Sequence, residues 1–304
     1  MNPIVNSEAL QQSIKCRLLV PAEVRWSEID RYEDRSVFQT REWIAFVSES
    51  QNALPVIMEL FEDKDVAGYF TGLTFTRFGI KVLGSSFPGW TTPYMGFNLK
   101  PGVSRRAALA AVEEMAWNEL KCAHIEISDP YFTVEDGERL GFATEFYHSY
   151  RSDLRQSEEA LLNGMESACR RCIRKAEKSG VVIEESDDLD FAHEYFAQLQ
   201  DVFAKQGLVP TYDVERVRSL IRNVKPSGNL LLLRARDAGG KCIATGIFPG
   251  FNKIAEFWGN ASWRASQNLR PNELIHWYAM RYWKRRGAEF YDWGGQGEYK
   301  EKYG

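Results

Sequence analysis

A lysine and a carboxylate flank a glycine pair late in the sequence: Asp292 precedes Gly294-Gly295, and Lys300 follows beside Tyr299. An ammonium fixed beyond such a turn can sit near a developing oxyanion, where preorganised positive charge lowers the barrier. A strand-end carboxylate such as Asp292 can take a proton from an attacking amine, and such positions face the ligand crevice in α/β sheets. The plainer alternatives are a solvated lysine and an aspartate that stabilises the glycine turn. Arg170, Arg171, Arg174, Lys175 and Lys178 are the strongest charge feature. At helical spacing Arg171, Arg174, Lys175 and Lys178 share one face. Arginine forks suit pyrophosphate or an RNA backbone; the alternative is a helix end whose cations complement its dipole. Trp258, with Trp263 and Trp277, supplies rings for a substrate groove, and Tyr94 lies in a loop rich in glycine and aromatics.

The elements that must position these residues repeat. Residues 55–62, 66–76 and 79–83 read as three strands, followed by a helix over 104–121 capped by Ser104 and a short strand at 124–128 ending in Asp129. Residues 229–236, 241–249 and 253–262 repeat the three strands. A helix over 271–286 then enters through Pro271, and a strand at 289–293 carries Asp292. Val66-Ala67-Gly68 with 80–84 mirrors 243–246 with 255–259, ending at Gly84 and Gly259. The order of elements more than the letters predicts an internal duplication. Between the copies, 157–178, 188–206 and 213–223 read as helices. The expected fold class is α/β, with mixed central sheets flanked by helices.

Bulk properties exclude several classes. The 304 residues suit two cores of ordinary size, and a net charge of −4 argues against a dedicated DNA or RNA binder, while a local basic strip can still handle a phosphate-bearing ligand. No apolar run is long enough to span a bilayer. Met1 to Lys15 lacks the basic start and apolar stretch of a signal peptide. The five scattered cysteines suit a reducing compartment, so the expected location is cytoplasmic. Cys169-x-x-Cys172 lacks a second ligand pair, and His124, His148, His193 and His276 show no ligand spacing, so no metal site is expected. No Walker, GxGxxG or GxSxG pattern occurs, and no residue pattern sets an oligomeric state.

The segment 170–181, with Arg170-Arg171-Cys172-Ile173-Arg174-Lys175-Ala176 leading to Gly180-Val181, resembles the basic helix of the FemAB-like family. Tyr291-Asp292-Trp293-Gly294-Gly295 followed by Tyr299-Lys300-x-x-Tyr303-Gly304 is similar to that family's closing pattern, with tyrosine for phenylalanine at 299. Val37-Phe38-Gln39-Thr40 with Trp43 resembles its entry signature. The resemblance implies tandem GNAT domains, over residues 1–150 and 151–304, the second including the basic helix 157–178. It further implies acyl transfer, with Lys300 and Asp292 catalytic and Tyr299, Arg171, Arg174, Lys175, Tyr94 and Trp258 binding substrate.

The expected donor is aminoacyl-tRNA, a co-substrate rather than a bound cofactor, and the expected acceptor is an amine of a peptide, cell-wall precursor or small metabolite. The alternative is an N- or O-acyltransferase that uses acyl-CoA or an acyl carrier protein on a sugar or natural-product acceptor. Neither helix entry, 100–105 or 267–272, has the glycine-rich turn that holds a CoA pyrophosphate, and Pro271 removes an amide. Members acting on nucleotide-linked cell-wall precursors tend to carry a lysine shortly after the entry tryptophan. Here Trp43-Ile44-Ala45-Phe46-Val47 offers none. A non-catalytic module that holds a peptide or partner protein is the reading from another class.

Overall fold

The computed structural model describes residues 13–295 and 297–304; the signal-peptide reading of residues 1–12 lies outside the described residues. In chain order come β1 (Ile14–Leu18), α1 (Trp26–Ile29), α2 (Arg41–Gln51), β2 (Leu54–Glu62), β3 (Asp65–Arg77) and β4 (Ile80–Ser85). Next are β5 (Gly96–Leu99), α3 (Arg105–Asn118), β6 (His124–Ile127), α4 (Val134–Glu138), β7 (Arg151–Asp153), α5 (Glu158–Gly164) and α6 (Ser167–Lys178). The remainder is β8 (Val182–Glu185), α7 (Phe191–Ala204), α8 (Val214–Val224), β9 (Leu230–Arg236), β10 (Cys242–Phe251), β11 (Ile254–Glu256), β12 (Gly259–Ser262), α9 (Pro271–Arg285) and β13 (Phe290–Asp292).

Two mixed sheets result. One has the order β1-β2-β3-β4-β6 with β5 also on β3; the other runs β7-β13-β11-β10-β9-β8 with β12 also on β10. β4–β6 and β11–β13 are the parallel pairs. In each sheet a long central strand therefore meets two successive segments of one partner, and only the first segment continues to a parallel neighbour. The sheet opens where the second segment begins. The order of elements expected from the duplication holds. Its letter match does not hold throughout, because Gly84 lies inside β4 whereas Gly259 opens β12.

The stretch 253–262, expected as a single strand, carries a β-bulge. Gly250 pairs Ala255 and Ile247 pairs Gly259, so three steps along β10 face four on the partner. One extra residue bends the strand at Phe257-Trp258. At the same place in the first sheet, β4 and β5 are separated by residues 86–95. The glycine- and aromatic-rich loop expected there is present, and β5 follows it.

The chain forms two compact units: Met1–Arg35, in its described part, with Asn52–Glu145, and Ser36–Gln51 with Phe146–Gly304. A division at 150 misses the segment that crosses between them. Residues 36–51 belong to the second unit because α2 is amphipathic and buries Trp43, Ile44, Phe46 and Val47 there. Thr40 Oγ1 accepts from the Trp43 amide at the start of α2, and Glu49 near its other end accepts from Arg222 (2.7 Å) and Asn223 (2.8 Å) of α8.

Alternation along β9 divides the second unit's interior. Leu231, Leu233 and Ala235 join the core with α6 and α9. Arg234 points to the other face and bonds Glu194 of α7 and Asp188. In the first unit, Ala108, Leu109, Val112 and Ala116 of α3 cover Met58, Leu60, Phe70 and Leu83. Ser104 caps α3, its hydroxyl accepting from Ala107 N at 3.2 Å.

The single helix expected over 157–178 is two. α5 stops at Gly164, Met165 turns extended (ψ 152°), and α6 starts at Ser167. The break admits the last segment of the chain: Glu166 N donates to Lys302 O at 2.9 Å, satisfying an amide at the helix start. Arg170 turns back to donate to Asn163 O (2.8 Å) and Met165 O, which removes it from the basic strip.

Candidate active site

The second unit's sheet opens between β12 and the chain leaving β13, and Asp292 stands at that strand end with Lys300 on the turn that follows. Asp292 ends β13 and is buried. Its Oδ2 accepts from Arg151 Nε at 2.6 Å, across the β7–β13 pair, and its Oδ1 accepts from Ser149 Oγ and from Gly294 N at 2.8 Å. Three donors thus occupy the carboxylate, the arrangement of a turn-stabilising aspartate. Its main-chain oxygen accepts from Phe257 N at 2.8 Å, which ties the strand end to the bulge.

Gly294 and Gly295 follow with φ of 60° and 53°, a left-handed pair that favours glycine. Their carbonyls turn toward Lys300, whose Nζ donates to Gly294 O and to Gly295 O (3.2 Å). Lys300 is only 7% exposed, and burial pulls its pKa below the ordinary lysine value while the charge of Asp292 opposes that shift. The solvated-lysine alternative does not describe this side chain. Tyr299 is 54% exposed, with the Lys300 ammonium 5.8 Å from its ring centre.

A dry aromatic floor supports the turn. Tyr303 stacks on Trp293 at 4.1 Å, and Trp293 Nε1 donates to Ser152 Oγ at 3.0 Å. Beneath them His276 of α9 is fully enclosed, its Nδ1 3.0 Å from Tyr291 Oη and its ring against Phe257, Trp293 and Tyr303. Burial first, then the charges of Lys302 and Lys300, push its pKa down to about 3, so it is neutral.

Trp258 stands on the bulge, and its amide donates to Ile247 O at 3.2 Å. Its ring lies 5.5 Å from Tyr212 and 6.4 Å from Tyr195, and the two tyrosine hydroxyls are 2.9 Å apart. Gly259 makes room for this cluster, since a Cβ there would lie 2.3 Å from Tyr195 Oη. Tyr195 and Tyr212 went unread in the sequence because they are distant from Trp258 along the chain and carry no motif. Arg151, Ser149 and Glu273 escaped for the same reason.

Asp292 and Lys300 are therefore joined through the Gly294-Gly295 turn, with Tyr299 beside Lys300, whereas the Trp258 ring packs with Tyr212 and Tyr195. Arg171, Arg174 and Lys175 are not among them: they are exposed on the outer face of α6, opposite Cys169, Ile173 and Ala176, which enter the core. Tyr94 belongs to the first unit, in the loop between β4 and β5.

The entry to α9 also bears on the donor. Arg270 is left-handed and Pro271 has no amide to offer. Glu273 is buried in the first turn, paired with Lys302 at 2.8 Å, so a carboxylate already holds the positive helix end. Among the described residues no cluster of histidine, cysteine, aspartate or glutamate is arranged to hold a metal ion, and no helix is long and apolar enough to cross a membrane.

Residues 165–303 match the family model described as an acetyltransferase (GNAT) domain. No curated protein matches the sequence. Among solved structures, FemX superposes with a TM-score of 0.74 at 14% identity, covering 92% of this chain and 89% of that one. A conserved protein of unknown function from Bacteroides thetaiotaomicron gives 0.59 at 13%, covering 95% of each chain. A tandem GNAT protein from the clavulanic acid biosynthesis pathway gives 0.51 at 11%, covering 94% of this chain and 90% of that one. The second unit is thus a GNAT domain, the acyltransferase class of fold. The whole chain, with its repeated sheet, shares the fold of FemX and of that tandem GNAT protein.

Proposed function

We propose that the chain transfers an aminoacyl group from aminoacyl-tRNA to an amine, at the opening of the second unit's sheet. The observation that carries this reading is the buried Lys300 ammonium, fixed by the Gly294-Gly295 turn that Asp292 organises. Attack by the amine nitrogen on the ester carbonyl forms the new C–N bond and puts negative charge on the carbonyl oxygen. Lys300 stabilises that charge without reorganising. The ester C–O bond then breaks, and the proton lost by the amine leaves with the ribose hydroxyl. Asp292 acts by holding the turn, since donors fill its carboxylate.

Two features support RNA as the donor. The exposed cations Arg171, Arg174 and Lys175 on α6 suit a phosphate backbone. Pro271 and the buried Glu273 disfavour a CoA pyrophosphate at the entry to α9. The amine acceptor, a cytoplasmic location and the absence of a bound cofactor follow from the same reading.

The test is transfer from separate pools of charged tRNA and acyl thioesters to amines, followed by mass spectrometry. Product from the tRNA pool that disappears with ribonuclease and with Lys300→Ala is the expected result. Product from the thioester pool alone overturns the donor. No product from either pool, with a peptide or protein partner retained, favours the non-catalytic module.

A further inference from the structure

Among the described residues, three two-residue hairpin turns open on a left-handed residue. Asp63, between β2 and β3, has φ 55°, and Asn252, between β10 and β11, has φ 51°. Aspartate and asparagine tolerate that backbone and are the ordinary choice for such turns. Between β3 and β4 the turn is Phe78-Gly79, with φ of 51° and 77°, so a bulky ring sits where a small polar side chain is expected.

The fold gives that ring nothing in return. Phe78 is 91% exposed, and Ile80, which pairs with Arg77 across the turn, is 52% exposed. A Cβ added at Gly79 would meet nothing within 4 Å, so the tip stands clear of the rest of the unit. Farther back at the same end of the sheet, Leu54 is 70% exposed opposite Thr74. Large apolar side chains grouped in water, one of them on strained backbone, answer to a contact outside the fold.

The surrounding charge is positive. Arg77 and Lys81 flank the tip, and the Arg77 guanidinium lies 5.3 Å from the centre of the Phe78 ring. Ala123 N donates to Lys81 O at 2.8 Å, which lays residues 121–123 beside β4 and brings the exposed Lys121 to this end. Among the described residues no carboxylate pairs with any of these three cations.

We infer that the Phe78-Gly79 tip docks the first unit on an anionic lipid bilayer, with Phe78 and Ile80 entering the interface and Arg77, Lys81 and Lys121 meeting the phospholipid headgroups. A two-residue turn is convex and too small to bury the roughly 1,200 Å² of a stable protein interface. A bilayer needs no complementary pocket: it takes up apolar side chains at the headgroup boundary, and anionic lipid attracts basic residues there. The stem of Arg77 follows the ring inward while its charge stays in water. Docking is read without turnover, so it stands or falls apart from the acyl-transfer reading.

The test is co-sedimentation of the whole chain with vesicles of phosphatidylcholine alone, and of phosphatidylcholine mixed with an equal share of phosphatidylglycerol. The mixed vesicles should bind the chain about tenfold more tightly or better, and added salt should weaken that binding. Phe78→Asn suits the left-handed turn, so its melting temperature should hold or rise while binding to mixed vesicles falls about tenfold or more. Arg77→Gln should weaken binding about fivefold. No binding to mixed vesicles, or binding that Phe78→Asn leaves intact, overturns the inference. Equal binding to both kinds of vesicle removes the anionic surface, and a lower melting temperature for Phe78→Asn makes the ring a folding residue; either result also overturns it. A lipid-free dimer in sedimentation velocity that Phe78→Asn abolishes would assign the tip to a second copy of the chain and overturn the bilayer instead.

Discussion

The two units share one frame and use its opening in opposite ways. In each, a glycine begins the second partner segment because something approaches too closely for a Cβ. At Gly96 that something is Asp129 Oδ2, 2.5 Å from where the Cβ would stand; at Gly259 it is the Tyr195 hydroxyl. Asp129 seals the first opening: its carboxylate accepts from Phe97 N at 2.9 Å and from Arg105 at 2.8 Å, and Arg105 also reaches Asp34 at 3.0 Å. Residues 86–95, with Phe87 and Trp90 packed on Phe75, fill the place that a single-residue bulge occupies in the second unit. Asp292, the matching strand end, turns instead to the Gly294-Gly295 turn whose carbonyls hold Lys300. The two strand-end aspartates of a repeated frame are thus made to hold different partners.

The sharpest way to break this comparison is a pair of substitutions. Lys300→Ala should lower turnover by about a hundredfold to a thousandfold, the usual cost of losing an oxyanion donor, with the far-UV circular dichroism unchanged. Arg105→Ala should do the reverse. It strands the buried Asp129 carboxylate and costs about 3–5 kcal/mol of first-unit stability by denaturant unfolding, while turnover per folded molecule stays level. A turnover loss from Arg105→Ala that matched Lys300→Ala would show that both openings take part.

Acidification should separate the units by sign. His276 has a folded pKa pushed down to about 3 against an ordinary 6.5. Its neutral form therefore contributes stability that is complete above 6.5 and is lost as pH falls toward 3, at about 1.4 kcal/mol per pH unit. Asp129, raised by burial, works the other way: its contribution is present below the ordinary carboxylate value and lost as pH rises through the folded one. Thermal unfolding followed by pH in His276→Phe should show a flattened acid limb for the second unit.

Asp292→Asn is a smaller change. As an organiser of the turn, Asp292 should cost about tenfold in turnover when its pairing with Arg151 weakens. A general base would cost about a hundredfold to ten-thousandfold and shift the pH–rate profile, so the magnitude distinguishes the two roles. Smallest is Arg174→Ala on α6, which should move stability by less than about 0.5 kcal/mol. The salt slope of charged-tRNA binding should fall by about one, and an unchanged slope would remove the basic face from RNA docking.

Much of this frame was legible in the sequence. Strand and helix periodicity, the Ser104 cap, Pro271 at a helix start and the strand-ending aspartates are local features, written into a few neighbouring residues. The motif around Lys300 was legible for the same reason, since a Gly-Gly turn needs left-handed backbone that glycine supplies. Tertiary structure alone decided the rest. It broke the helix at 165–166, because the last residues of the chain supply the partner that the Glu166 amide needs. It sent α2 to the second unit, where Trp43 and Phe46 find a core, and it turned Arg170 away from the basic face. The bulge that carries Trp258 and the tyrosine cluster depend on register and on contacts between distant segments, and the filled carboxylate of Asp292 does too. Periodicity reports which face of an element is apolar; it does not report what that face will meet.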